Sequence, residues 1–208
     1  MSAPSSRSAS RWDPTPRWER RYKEALDVAA TAFAEKGYLG ASTKEIADVL
    51  GIRQATLYYY FPSKEAALAA ICELGVKSFI ENLRAILEQP LPAAEKLLAA
   101  IANHLSPLRA HPEADYIRVF LRHRHELPDG PRHTVAALAR AYQELIERLF
   151  VEAIATGEFR ADLNPSLATL ALLGLCNSVI GARALPRGSS IDDFIAEYAR
   201  IFIEGCHQ

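Results

Sequence analysis

Three cysteines in 208 residues, at positions 72, 176 and 206, are too few, too scattered and odd in number for a disulfide framework. No C-x-x-C pair occurs, and no Lys or Arg adjoins a cysteine to lower its thiol pKa. The set implies a reducing, cytoplasmic setting and packed thiols, with redox sensing as the alternative. Enzyme signatures are missing too: there is no G-x-S-x-G, P-loop, G-x-G-x-x-G or H-E-x-x-H, and the carboxylates are dispersed. Stretches of alternating, β-branched character are absent, so no sheet is expected. The one long uncharged run, 165–182, is near the lower length limit for a membrane span. Ser166, Thr169, Asn177 and Ser178 dilute it and Arg183 follows directly, so it reads as a helix buried in protein, not in a bilayer.

A large charge excess is also lacking. The formal net charge is −1, which excludes a uniformly basic nucleic-acid coat. Residues 1–64 nevertheless carry 10 Lys+Arg against 7 Asp+Glu, and the remainder carries 14 against 18. A mildly positive N-terminal module on an acidic body suits a protein that offers one end to phosphates. The first 16 residues, rich in Ser and Pro, have no apolar core for a secretory signal and read as a disordered basic tail. Arg7, Arg11, Arg17, Arg20 and Arg21 could serve there as an arm touching DNA.

The segment 42–64, STKEIADVLGIRQATLYYYFPSK, is the most informative. Ser42 and Glu45 have capping-box spacing, and Ile46, Ala47 and Leu50 form an apolar face that Gly51 terminates. Leu57 and Phe61 stand one turn apart and can pack back onto that face. Gln54, Ala55, Thr56, Tyr58 and Tyr59 leave a polar, phenolic front, as a helix that reads the DNA major groove requires.

With the preceding Leu26-x-x-Ala29-Ala30-x-x-x-Phe33-x-x-Lys36-Gly37-Tyr38 and the exit Ser63-Lys64-Glu65, this pattern resembles the DNA-binding domain of the TetR family of bacterial transcriptional repressors. The match spans 18–68, about a quarter of the chain. The resemblance implies an all-α fold of about nine helices. A helix-turn-helix domain would occupy 17–64, and a helical ligand-sensing and dimerisation domain 65–208. It also implies a repressor that binds a palindromic double-stranded operator as a homodimer and is released by a small molecule. The recognition helix would run from Arg53 to Phe61, with Gln54 reading adenine and Ala55 and Thr56 near a thymine methyl or the backbone. Tyr58, Tyr60, Lys64, Thr43 and Lys44 would hold phosphates. Arg53 stands where the family often has a small capping residue and could instead grip guanine or phosphate.

Beyond residue 64, helical periodicity continues. Leu68, Ile71, Leu74, Phe79, Leu83, Ile86 and Leu87 mark a long fourth helix closed by Pro90 and Pro92. Leu97, Leu98, Ile101 and Leu105 mark a fifth, 116–125 a sixth and 133–156 a seventh, ahead of Gly157. The run from Pro165 is the eighth, and Ile191, Phe194, Ile195, Tyr198, Ile201 and Phe202 define the ninth. The last two offer faces for a dimer. An effector entering among the fifth to eighth helices would displace the fourth. Tyr116, Phe120, Arg124 and Tyr142 are the candidate effector contacts, as aromatic and cationic groups on central helices. A loose likeness of 160–165 and the ninth helix to a subgroup linked to lipid or acyl-CoA catabolism makes acyl-CoA or another hydrophobic ligand the candidate effector. No cofactor is expected. His104, His111, His123, His125 and His133 would permit a metal-responsive variant, but they lack paired-ligand spacing, so no metal residue is assigned. An all-helical enzyme with a DNA reader and a ligand-blind architectural binder are the remaining alternatives.

Overall fold

A computed structural model describes residues 15–181 and 186–206. Those residues form nine α-helices and two short 3-10 turns, with no strand among them. Thr15 caps α1 (Pro16–Gly40) by accepting from the Trp18 amide, and Pro16 occupies the first turn, where its missing N–H is no loss. Helix α1 therefore begins one residue before the expected boundary. Arg17, Arg20 and Arg21 ride on its first turns, whereas Arg7 and Arg11 lie outside the described residues.

Ala25, Leu26, Ala29, Ala30 and Phe33 form the fully buried stripe of α1. Sealing a side chain such as Leu26 or Phe33 from water contributes roughly 1.5–3 kcal/mol. At Gly37 the chain leaves helical geometry with φ 76° and ψ 159°, a region essentially reserved for glycine, and swings Tyr38 back onto Phe33. Ser42 and Glu45 then form the reciprocal capping box of α2 (Thr43–Val49). Gly51, at φ 65°, turns the chain into α3 (Gln54–Tyr60). Ile46, Ala47, Leu57 and Phe61 are buried against α1, and Leu50 is partly so.

Ser63 caps α4 (Lys64–Leu87), which at 24 residues is about 36 Å long and serves both halves of the molecule. Its first half joins the N-terminal core through Leu68 and Ile71; its second half joins the C-terminal core through Phe79 and Leu83. The remaining helices are α5 (Ala93–Leu105), α6 (Glu113–His123), α7 (Asp129–Ala155), α8 (Pro165–Gly181) and α9 (Ile191–Cys206). Helix α6 also straddles the two cores: Tyr116 and Val119 belong to the first, Ile117 to the second.

Helices α6 and α7 start three and four residues earlier than the periodicity indicates. Each begins just after a proline, Pro112 or Pro128, and their polar first turns carry no apolar stripe to read. Leu74, Leu98 and Ile201, which periodicity places on core faces, are more than two-fifths exposed. Helix α8 is apolar all round, yet only one side of it is covered. Ala168, Leu172, Cys176, Val179 and Ile180 are buried, while Leu167, Leu170, Ala171, Gly174, Ser178 and Gly181 form an exposed stripe at helical spacing. No described helix is long and apolar enough to cross a membrane.

Candidate nucleic-acid interface and effector cavity

The exposed front of α3 meets the start of α2 in a small polar network. Gln54 Nε2 donates to Thr43 Oγ1 at 2.7 Å, and the Tyr58 hydroxyl lies 3.4 Å from each of these atoms. Gln54 Oε1 has no protein partner among the described residues, so an acceptor remains open at the front of the helix. Ala55, Thr56, Tyr58 and Tyr59 are exposed, as are Lys44 and Arg53. Arg53 occupies the N-cap of α3 but makes no side-chain cap bond, so its guanidinium is left to solvent. Tyr60 is placed differently: partly buried, it faces the Trp18 ring at 6.3 Å and Tyr59 edge-on at 5.7 Å. It ties α3 to α1.

Beside this network, Ala41, Ser42, Thr43, Tyr58, Pro62, Ser63, Lys64 and Glu65 line a shallow groove. The N-termini of α2 and α4 both open into it, each with unpaired amide groups and the positive end of a helix dipole. Lys64 Nζ sits 4.4 Å from the centre of the Tyr38 ring and 3.5 Å from the Leu39 carbonyl, braced over the groove wall. Burial, reinforced by Glu65, pushes the Tyr38 hydroxyl up to about 12, so it remains a neutral donor. Lys36 and the Ser42 amide hold the Glu45 carboxyl below its ordinary range. The groove thus offers N–H groups, hydroxyls and one ammonium, with the Glu65 side chain at its edge.

A cavity of about 360 Å³ lies between α4, α5, α6, α7 and α8. Its walls are chiefly apolar, including Val76, Phe79, Ile117, Leu121, Leu170 and Leu173. Of the four effector candidates read from sequence, Phe120, Arg124 and Tyr142 line it. Arg124 stacks on Phe120, 4.8 Å from the ring centre. Tyr116 does not line this cavity. It faces a separate one of about 390 Å³ between α1, α4 and α6, and its hydroxyl donates to Asp27 Oδ1 of α1 at 2.9 Å.

Sequence reasoning missed His104 and Asn177 as cavity residues. His104 Nδ1 lies 3.1 Å from the Tyr142 hydroxyl and Nε2 lies 3.1 Å from Asn177 Oδ1. Burial lowers the imidazole pKa to about 4, against the raising effect of Asn177, so the ring is neutral at physiological pH. An amide carbonyl can only accept; Nε2 therefore carries the proton and Nδ1 accepts from Tyr142. Burial also raises Tyr142 well above the usual phenol range. Three different helices supply these side chains, so no sequence spacing betrays them.

The other histidines are placed apart: His123 pairs with Glu126 at 2.8 Å, and His111 approaches Asp115 at 3.3 Å. No group of three or more potential metal ligands occurs among the described residues. Burial pushes Cys72 and Cys176 up to about 12 and raises Cys206, which makes all three poor thiolate sources.

Comparison with known proteins finds relatives of both halves of the chain. Residues 25–71 match the family model described as bacterial regulatory proteins, tetR family, and residues 90–181 match that of the tetracyclin repressor-like C-terminal domain. The chain is 27% identical over 162 residues to the fatty acid metabolism regulator protein of Bacillus subtilis (strain 168), covering 77% of this chain and 81% of the relative. It is 27% identical over 188 residues to the HTH-type transcriptional repressor KstR2 of Rhodococcus jostii (strain RHA1), covering 89% and 90%. Among solved structures, a transcriptional regulator of the TetR/AcrR family from Thermobifida fusca YX-ER1 is 30% identical with a TM-score of 0.68, covering 91% of this chain and all of that one.

Proposed function

Because the chain belongs to the TetR family of bacterial regulatory proteins and is a ligand-responsive, DNA-binding transcriptional regulator, we propose that it represses transcription as a homodimer on a palindromic operator. In this reading it works in the cytoplasm and catalyses no reaction. Gln54 reads base edges, with Arg53, Ala55 and Thr56 beside it, while Thr43, Lys44, Tyr58 and Lys64 hold phosphates. Tyr60 acts through α1 and not through DNA.

Two half-sites on a duplex require two readers at fixed separation. The exposed stripe of α8, from Leu167 to Gly181, with Ile201 on α9, supplies a self-complementary apolar face for a four-helix dimer. Gly174 and Gly181 have no neighbour within 4 Å of an added Cβ, so a second helix can approach closely there.

The cavity is the effector site, with Phe120, Arg124 and Tyr142 among its contacts. The relative named for fatty acid metabolism and the apolar walls support an acyl-CoA or another hydrophobic molecule as effector. The observation that carries the regulatory reading is that α4 and α6 each touch both the cavity and the DNA-binding module. Helix α4 brings Val76 and Phe79 to the cavity and Lys64 to the phosphate groove; α6 brings Ile117 and Phe120 to the cavity and Tyr116 to α1. An effector that fits only the state with altered α4 and α6 positions would lower DNA affinity by its differential affinity for that state.

Fluorescence anisotropy on DNA from a random-sequence selection tests this. Expected are a two-fold symmetric consensus, a stoichiometry of two chains per site, and release by an acyl-CoA. Recovery of an asymmetric consensus bound by one chain would sink the dimer, and release by no acyl-CoA would sink the effector reading.

A further inference from the structure

The cavity has a direction of hydrogen bonding built into it. His104 Nε2–H donates to Asn177 Oδ1, so the carbonyl of that amide is already engaged. Asn177 Nδ2 has no protein partner among the described residues, and its side chain lines the cavity. The unengaged end of the Tyr142–His104–Asn177 relay is thus a donor, and the group it lacks is an acceptor. At the solvent-exposed side of the same cavity stands Arg124, stacked on Phe120 and without an ion-pair partner among the described residues. Among the described residues, no Asp or Glu lines the cavity. At about 360 Å³ the cavity lies at the small end of the range for small-molecule pockets. A nucleotide and an acyl chain do not fit inside together.

We infer that Asn177 is the specificity residue of the effector site: its Nδ2 donates to the carbonyl oxygen of an acyl thioester whose chain fills the apolar cavity, while Arg124 holds an anionic part of the ligand at the rim. The inference rests on the acyl effector reading above. His104 and Tyr142 act through Asn177: they fix the amide so that nitrogen, not oxygen, meets the ligand. A donor on the cavity wall that loses its acceptor gives up a hydrogen bond, so an analogue lacking the carbonyl binds less well although its apolar part is unchanged.

The test is calorimetric titration of the full chain with octanoyl-CoA and with its S-octyl thioether, which has the same chain and nucleotide but no carbonyl. The wild type is expected to prefer the thioester by about tenfold or more. Asn177→Leu should remove that preference by weakening thioester binding, with the thioether unaffected. Arg124→Ala should weaken both equally. Equal affinities of the wild type for thioester and thioether overturn the role of Asn177 while leaving the acyl effector standing. Binding of neither compound overturns the inference together with the effector reading beneath it. The wild-type comparison needs no variant to fold.

Discussion

Asp115 of α6 accepts a 2.9 Å hydrogen bond from Thr31 of α1 through a carboxylate that is almost wholly buried. Arg118 and His111, each at 3.3 Å, complete its surroundings. One residue along, Tyr116 donates to Asp27 of α1 at 2.9 Å, so two polar bonds join the effector domain to the DNA-binding module. Helix α6 is held to α1 by direction-specific contacts as well as by apolar packing.

Thr31→Val keeps the shape of that contact and removes its donor. The loss should cost about 1.5 kcal/mol or more, the usual range for a bond to a charged group, measured by urea unfolding. It should also reduce the ratio of DNA affinities without and with effector, because α6 would move with less consequence for α1. An unchanged ratio in a destabilised variant would leave the bond a purely structural role.

For the DNA face, two substitutions separate reading from holding. Gln54→Ala should cost about 1–3 kcal/mol at one base pair of each half-site and little on other sequences. Lys64→Ala should weaken all sequences alike and lower the slope of log affinity against log salt by about one per half-site. Uniform loss from Gln54→Ala, seen in a randomised-site binding assay, would remove its reading role.

Arg53 allows stability and binding to be set against each other. It caps α3 without making a cap bond, so Arg53→Ser should stabilise the chain by roughly 0.5–2 kcal/mol. The same change should lower DNA affinity if the guanidinium grips a base or a phosphate. Thermal unfolding and DNA titration of one variant decide both points, and a gain in stability with no loss of affinity would make Arg53 a bystander.

Local chemistry was legible in the sequence, and long-range geometry was not. The Ser42–Glu45 capping box, the stop at Gly51 and the buried pair Leu57 and Phe61 depend on spacings of three or four residues, and all are found in place. The starts of α6 and α7 were hidden because polar turns after Pro112 and Pro128 leave no apolar period. Tyr116 and Phe120 illustrate the limit within one helix. Both are aromatic and one turn apart, yet Phe120 lines the cavity between α4 and α8 while Tyr116 points to α1. Which way each faces depends on what α1 and α7 place beside them. Tyr142 and Asn177 are 38 and 73 residues from His104, and only the packing of α5, α7 and α8 brings each within 3.1 Å of its ring.

The neutral His104 makes stability pH-dependent in a defined window. Its pKa is about 4 in the folded chain against an ordinary 6.5, because burial disfavours the charged ring. Between those values the unfolded chain binds a proton that the folded one does not. The contribution to stability is therefore complete above pH 6.5 and is lost as the pH falls toward 4. Its full size is on the order of 3 kcal/mol, most of it gone by pH 4.5. His104→Gln keeps a donor and an acceptor near Tyr142 and Asn177 but cannot titrate. Urea unfolding at pH 7 and pH 4.5 should show the wild type losing more stability over this interval than the variant. Carboxylates elsewhere titrate in both proteins and cancel in the difference. Parallel losses would mean that the ring is protonated in the folded state or hydrated in the cavity, and either would break the relay that orients Asn177.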